Sequence, residues 1–271
     1  MPELPEVETT RRGIEPAVVG HLIDRLIVRE SRLRWPVSDE LPSLIEHRRV
    51  EGLNRRAKYL LFSFANGTLI VHLGMSGSLR VLRATTPPLL HDHIDIVLDT
   101  GACLRFNDPR RFGSVLWTSD DPARHLLLRD LGPEPLSKQF TGATLAQAAR
   151  GRRVAIKQML MNSQVVVGVG NIYASEALFR AGIRPRRAAG RLKSAEFDAL
   201  AESIKQVLRE AIRSGGTTLR DYVNADGMPG YFRQKLFVYE RTDEPCRICK
   251  TPIRHLVQGQ RSTYFCATCQ K

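Results

Sequence analysis

The residues best placed to do chemistry stand at the start of the chain, in Met1-Pro2-Glu3-Leu4-Pro5-Glu6. Methionine is normally removed ahead of proline, which leaves a secondary amine with Glu3 and Glu6 close behind it. An α-amino group has a pKa of about 8, well below that of lysine, so a useful fraction is neutral at physiological pH. Neutral amines attack electrophilic carbon and form Schiff bases. A proline adduct with an aldehyde carbon is an iminium with no N–H to lose, so it stays positive and keeps withdrawing electrons. Such a group suits a reaction that displaces a leaving group at a sugar carbon and then drives eliminations. The same segment also reads simply as a helix start. Pro5 fits the first helical position, Glu6 and Glu8 its first turn, and Pro16 with Gly20 would close it.

A second chemical signal lies at the other end. Cys246-Arg-Ile-Cys249 and Cys266-Ala-Thr-Cys269 are separated by 16 residues. Two such knuckles present four thiolates tetrahedrally to one Zn2+, and a closed four-thiolate site is structural because no coordination position stays open. Between the knuckles, Gln258-Gly259-Gln260-Arg261-Ser262-Thr263 forms a polar tip whose arginine suits a groove or a phosphate. The fifth cysteine, Cys103, lies in a predicted strand and reads as core packing.

Three further stretches admit two readings each. Val165–Asn171 runs through Gly168 and Gly170 into a predicted helix, either as an anion site at the helix start or as a tight turn. Met75 between glycines in His72–Gly77, and Phe112 with Arg110 and Arg111 in Asn107–Gly113, could wedge into a duplex or fold back onto the core. Lys58 is either an edge lysine with an extended stem or an active-site cation.

Elements must position these groups. His21–Glu30 alternates like a strand, and Lys58–Leu73 reads as a hairpin around Asn66-Gly67. Ile94–Leu98 and Cys103–Phe106 flank the turn Asp99-Thr100-Gly101, and Gly113–Trp117 could be one more strand. After the linker-like Leu131–Pro135 the period becomes helical over Thr144–Ala149, Val154–Met161, Ile172–Ala181 and Ser194–Ser214. The expected organisation is α+β: an N-terminal β-sandwich with flanking helices over 1–131, a helical domain over 132–230 and a zinc ribbon over 231–271.

Charge follows the same division. Of 41 basic and 28 acidic residues, 1–141 carry 19 and 18, 142–230 carry 14 and 7, and 231–271 carry 8 and 3. The positive field therefore belongs to the C-terminal half, where Arg150, Arg152, Arg153, Lys157 and Arg180 cluster, and a polyanion is its natural partner. There is neither a long apolar run nor a signal-peptide pattern, so a cytoplasmic protein without a membrane role is expected.

With these motifs together, the chain resembles the bacterial formamidopyrimidine-DNA glycosylases over essentially its whole length. The resemblance rests on Pro2–Glu8, Arg56–Leu60, His72–Gly77, Asn107–Gly113, Val166–Glu176, Gly215–Asp221 and the four cysteines. It implies a helix–two-turn–helix in the middle domain and an enzyme that excises oxidised purines from double-stranded DNA lying in the cleft between the halves; the sequence carries no oligomerisation signal, so a monomer is expected. It implies Pro2 as nucleophile at C1′, Glu3 as general acid/base, and Glu6 orienting the amine. Lys58 would contact the lesion or a phosphate. Met75, Arg110 and Phe112 would fill the gap left by the flipped base. Asn171 and Arg261 would grip phosphates, Arg261 counting with the catalytic set, and His91, Arg153, Lys157 and Arg220 would contact DNA. The loop Leu219–Tyr231 would close over the everted base. Asn162 stands where the family commonly has Asp, and Arg220 where it has Lys. The alternatives are a sister enzyme for oxidised pyrimidines and a zinc-ribbon DNA-binding protein without chemistry.

Overall fold

Alternating apolar residues in the first half and a helical period in the second produce two different packings. A computed structural model of the chain describes residues 2–217 and 235–271. These form two compact units: residues 2–129 with 214–217, and residues 130–213 with 235–271. Among the described residues no helix is long and apolar enough to cross a membrane.

The first unit opens with α1 (Leu4–Val18). It continues through β1 (Ile23–Val28), the short α2 (Leu41–Ile45), β2 (Gly52–Arg56), β3 (Tyr59–Phe64) and β4 (Gly67–His72). It ends with β5 (Ser78–Arg83), β6 (Asp92–Leu98), β7 (Ala102–Asn107) and β8 (Ser114–Thr118). Two antiparallel sheets result, ordered β1-β6-β7-β5 and β2-β3-β4-β8. Leu60, Phe62 and Val71 of one sheet and Ile94, Leu104 and Phe106 of the other share a single apolar core, which makes the pair a sandwich. Val7, Ile14 and Val18 of α1 join it at helical spacing.

Local departures from the sequence reading have local causes. α1 runs past Pro16 to Val18, because a proline near a helix end removes one hydrogen bond while buried Val18 still holds the last turn. Phe64 pairs with Gly67, so the hairpin turn is Ala65-Asn66 and Gly67 already belongs to β4. A Cβ on Gly67 would stand 2.4 Å from the Thr118 carbonyl oxygen, so the glycine serves strand packing rather than the turn. β2 and β5 were not anticipated; both mix arginines into short apolar runs and lack clean alternation.

The second unit holds α3 (Gly142–Ala149), α4 (Ile156–Leu160), α5 (Asn171–Arg180), α6 (Ser194–Arg213) and the hairpin β9 (Arg254–Gln258) with β10 (Arg261–Phe265). Thr141 caps α3, its hydroxyl accepting the Thr144 N–H at 3.2 Å. Residues Ile172–Phe179 are all buried, which makes α5 the central helix of the unit. α6 buries Phe197, Leu200, Ala201, Ile204, Val207, Leu208 and Ala211, an apolar stripe, and Gly215 follows it at φ +74°. The cysteine segment does not stand apart. Val238, Cys246, Ile253 and Cys266 pack with Phe179 of α5. The chain end is stitched to the turn after α5 by Lys271 N–H to Gly182 O and Arg184 N–H to Lys271 O, both 2.9 Å.

Candidate active site and metal centre

The N-terminal corner of the first unit is built around one carboxylate. Pro2 is buried, and Glu3 and Glu6 are each 2 % exposed. Glu3 occupies the N-cap of α1. Glu6 Oε2 accepts the Glu3 N–H at 2.9 Å, and Oε1 accepts the Thr217 N–H at 2.8 Å. Glu6 thereby ties the start of α1 to the Gly215-Gly216-Thr217 turn, and does so by holding backbone. Gly216 sits at φ +83°, and a Cβ there would lie 3.1 Å from Glu6 Oε1. Only glycine combines that conformation with that closeness. Glu8, two residues on, bonds Arg11, Arg12 and Arg55. Burial pushes its pKa up, but the three arginines prevail and hold it below the usual carboxylate range.

A second carboxylate fastens the two glycine-flanked loops. Asp108 is fully buried; its Oδ1 accepts the Ser76 hydroxyl at 2.9 Å and its Oδ2 the Gly113 N–H at 2.8 Å. Its N–H donates to His91 O at 3.0 Å, and its own carbonyl lies 2.9 Å from His93 Nε2. The loops touch so closely that a Cβ on Gly74 would lie 2.5 Å from Gly113 N. They present Met75 half-buried, and Arg110 and Phe112 exposed. The Arg110 guanidinium lies 4.8 Å from the Phe112 ring centroid, a cation–π pair that holds both side chains together. Neither folds back onto the core.

Lys58 lies half-buried in the β2–β3 turn, where Ala57 takes φ +55°. It acts electrostatically on His72, a residue to which the sequence reading gave no role. Burial, then the charges of Lys58 and Arg34, push the His72 pKa down to about 4, so the imidazole is neutral at physiological pH. Its Nδ1 accepts the Gly74 N–H at 3.0 Å and its ring stacks at a tilt on Tyr59, 4.7 Å away. The signal for it was its place directly before the glycine-flanked Met75.

In the second unit the sequence-expected residues separate. Asn171 is the first residue of α5, after an N-cap at Gly170; its Nδ2 lies 3.5 Å from Tyr239 Oη. Its enclosed Oδ1 has no hydrogen-bond partner among the described residues. Arg153 is exposed, and so is Arg261 at the hairpin tip, where Gly259 and Gln260 both take positive φ in a two-residue turn. Lys157 departs from the reading as a phosphate contact. It is 1 % exposed, and its Nζ donates to Ser262 O at 2.9 Å and to Thr263 Oγ1 at 2.8 Å. It secures the hairpin beside Arg261 instead of meeting solvent. Glu176, fully buried, holds the approach to the cysteines by accepting the N–H groups of Phe237, Val238 and Tyr239, each at 2.9 Å. Arg220 and the loop Leu219–Tyr231 lie outside the described residues.

The four sulfurs of Cys246, Cys249, Cys266 and Cys269 all lie within 4.8 Å of one another. Zn–S bonds of about 2.3 Å in a tetrahedron require sulfurs about 3.8 Å apart. Cys246 and Cys269 stand at 3.9 Å and Cys249 and Cys266 at 3.4 Å, so the cluster fits the ion. The chain binds one structural Zn2+ there.

Family comparisons follow this division of the molecule. Residues 1–115 match the formamidopyrimidine-DNA glycosylase N-terminal domain, and residues 131–223 the H2TH domain of the same enzymes. Residues 243–271 match a zinc finger found in FPG and IleRS. Formamidopyrimidine-DNA glycosylases of Thioalkalivibrio sulfidiphilus and Methylococcus capsulatus are 59% and 56% identical to the chain, each over 100% of both sequences. The chain belongs to the formamidopyrimidine-DNA glycosylase family. Among solved structures of the family, the Thermus thermophilus MutM (FPG) protein superposes with TM-score 0.89 at 39% identity, covering 99% of this chain and 98% of that one. The Lactococcus lactis Fpg in complex with DNA containing an abasic site superposes with TM-score 0.93 at 33% identity, covering 99% of each. The family's N-terminal, H2TH and zinc-finger parts account for the sandwich, the helices α3–α6 and the cysteine hairpin respectively.

Proposed function

We propose that this chain is a bifunctional DNA glycosylase/AP lyase of base excision repair that removes oxidised purines, 8-oxoguanine and formamidopyrimidines, from duplex DNA. The observation that carries the reading is the N-terminal corner: Pro2, Glu3 and Glu6 are buried together at the start of α1, with Glu6 fixing the Glu3 backbone at 2.9 Å. With Met1 removed, the Pro2 nitrogen attacks C1′ and the base departs with the electron pair of the glycosidic bond. Glu3 protonates the sugar ring oxygen as the ring opens, giving an iminium. Loss of the C2′ proton expels the 3′ phosphate, and a second elimination expels the 5′ phosphate. The strand is left with a one-nucleotide gap.

A base inside the duplex is out of reach at C1′, so it must be everted at a cost of a few kcal/mol. The exposed Arg110–Phe112 pair and Met75 offset that cost by filling the vacated stack. Asn171, Arg153 and Arg261 grip phosphates, with net charges of +7 and +5 in the two C-terminal segments behind them. The setting is the bacterial cytoplasm, and the protein acts as a monomer. Borohydride reduction on an 8-oxoguanine·cytosine duplex tests the chemistry: a covalent protein–DNA adduct is expected from the Met1-processed protein. Pro2→Gly trapping and cleaving as well as the parent would overturn the nucleophile, and intact mass shows whether Met1 has been removed.

A further inference from the structure

The loop between β5 and β7's neighbour β6, residues 84–91, ends in two consecutive leucines that the sandwich does not use. Leu89 is 66% and Leu90 87% exposed. A single exposed leucine is ordinary. These two are different because the loop beneath them is pinned. Arg105, 1% exposed, donates to Thr86 O at 2.8 Å and Pro87 O at 3.0 Å. Asp92 Oδ2 accepts the Leu89 N–H at 2.8 Å, and Leu89 O accepts the Asp92 N–H at 3.0 Å. Pro87-Pro88 stiffens the approach. A loop held this firmly cannot fold its leucines inward.

Its position is fixed by the same residue that fastens the other two loops. His91 O accepts the Asp108 N–H, while the Asp108 carboxylate holds Ser76 beside Met75 and Gly113 beside Phe112. The leucines thus stand on a third loop of one cluster. Exposed Arg83 precedes that loop, half-buried His91 closes it, and no acidic residue lies between them. An apolar tip framed by basic groups fits a surface that alternates apolar deoxyribose faces with phosphates.

We propose that Leu89-Leu90 is a DNA-contacting tip that packs on sugar faces of the duplex bound by Met75, Arg110 and Phe112. It rests on the reading that those three side chains face the duplex. The test measures affinity for a duplex carrying a tetrahydrofuran abasic analogue across a salt series, using the parent, L89S/L90S, L90K and, for the underlying reading, F112A. L89S/L90S is expected to weaken binding roughly 5- to 20-fold, the loss from two partly buried leucines, with the salt slope unchanged. L90K is expected to steepen the slope by about one unit as its ammonium meets a phosphate. If F112A weakens binding but L89S/L90S and L90K behave as the parent, the tip faces away from DNA and the proposal falls alone. If F112A is also silent, the reading of all three loops falls. Sedimentation decides a rival occupant: a parent protein that self-associates and becomes monomeric in L89S/L90S marks the tip as a contact between copies of this chain.

Discussion

Two regions of the molecule solve the same problem with opposite charges. In the first unit Glu6, 2 % exposed, receives N–H groups from Glu3 and from Thr217, 211 residues away in the chain. In the second, Lys157, 1 % exposed, gives its ammonium protons to Ser262 and Thr263, more than a hundred residues on. Each buried charge joins segments distant in sequence and holds a residue of the proposed site, Glu3 or Arg261, next to the joint. The difference is what stands behind the charge. Val7, next to Glu6, belongs to a continuous apolar sandwich core. The hairpin held by Lys157 has a small apolar cluster in which the four metal ligands pack with Phe179, Val238 and Ile253. The N-terminal corner therefore owes its shape to burial, and the hairpin owes its shape to zinc.

Removing zinc should break the comparison most strongly. A structural four-thiolate site supplies on the order of 10 kcal/mol of folding free energy. Chelation is expected to abolish a thermal transition of the hairpin segment and duplex binding with it, while the sandwich melts as before; calorimetry with and without chelator checks this. Lys157→Met comes next. It leaves the Ser262 carbonyl and Thr263 hydroxyl without their donor, a loss of about 2 kcal/mol in urea unfolding. Because Lys157 meets no solvent, its loss should leave the salt slope of DNA binding unchanged, whereas Arg261→Ala should lower that slope by about one unit.

Smaller effects sharpen the other side. Gly216→Ala drives a Cβ against Glu6 Oε1 and is expected to lower kcat about tenfold with little change in KM, since misplacement acts on geometry rather than on binding. Single-turnover kinetics on an 8-oxoguanine duplex separate the two. Last is His72, whose folded pKa of about 4 lies below its unfolded value of about 6.5. The unfolded chain takes up this proton first, so the contribution is complete above pH 6.5 and is lost as pH falls from there toward 4. At about 1.4 kcal/mol per unit the shift sets an upper bound of about 3 kcal/mol. NMR should show no titration of this imidazole between pH 8 and 5.

Much of this arrangement was legible in local sequence. The cysteine spacing named the metal, the apolar–polar alternation located most strands, and Pro2-Glu3 with Glu6 drew the eye to the corner that the structure buries. What stayed hidden is long-range. Nothing near Lys157 distinguishes a cation that meets phosphate from one that turns inward to a strand 105 residues later. Asp108 drew no notice within the turn Asn107–Gly113, yet its partners outside that turn come from two other segments of chain, Ser76 and His91–His93. Glu176 lies in an apolar helix where a carboxylate costs heavily unless donors arrive from elsewhere, and its donors lie about sixty residues on.

The thiol inventory has a consequence for a protein that would work where oxidants are abundant. Cys103 is fully buried, and burial, reinforced by the nearby Asp95 carboxylate, pushes its pKa up to about 12. It holds essentially no thiolate and is closed to peroxide. Of the other four cysteines, Cys246 and Cys266 are buried, while Cys249 and Cys269 are partly open. Among the five cysteines, oxidation thus has a single point of entry, the metal cluster. Bound zinc occupies it, so metal supply sets how long the protein outlasts the damage around it.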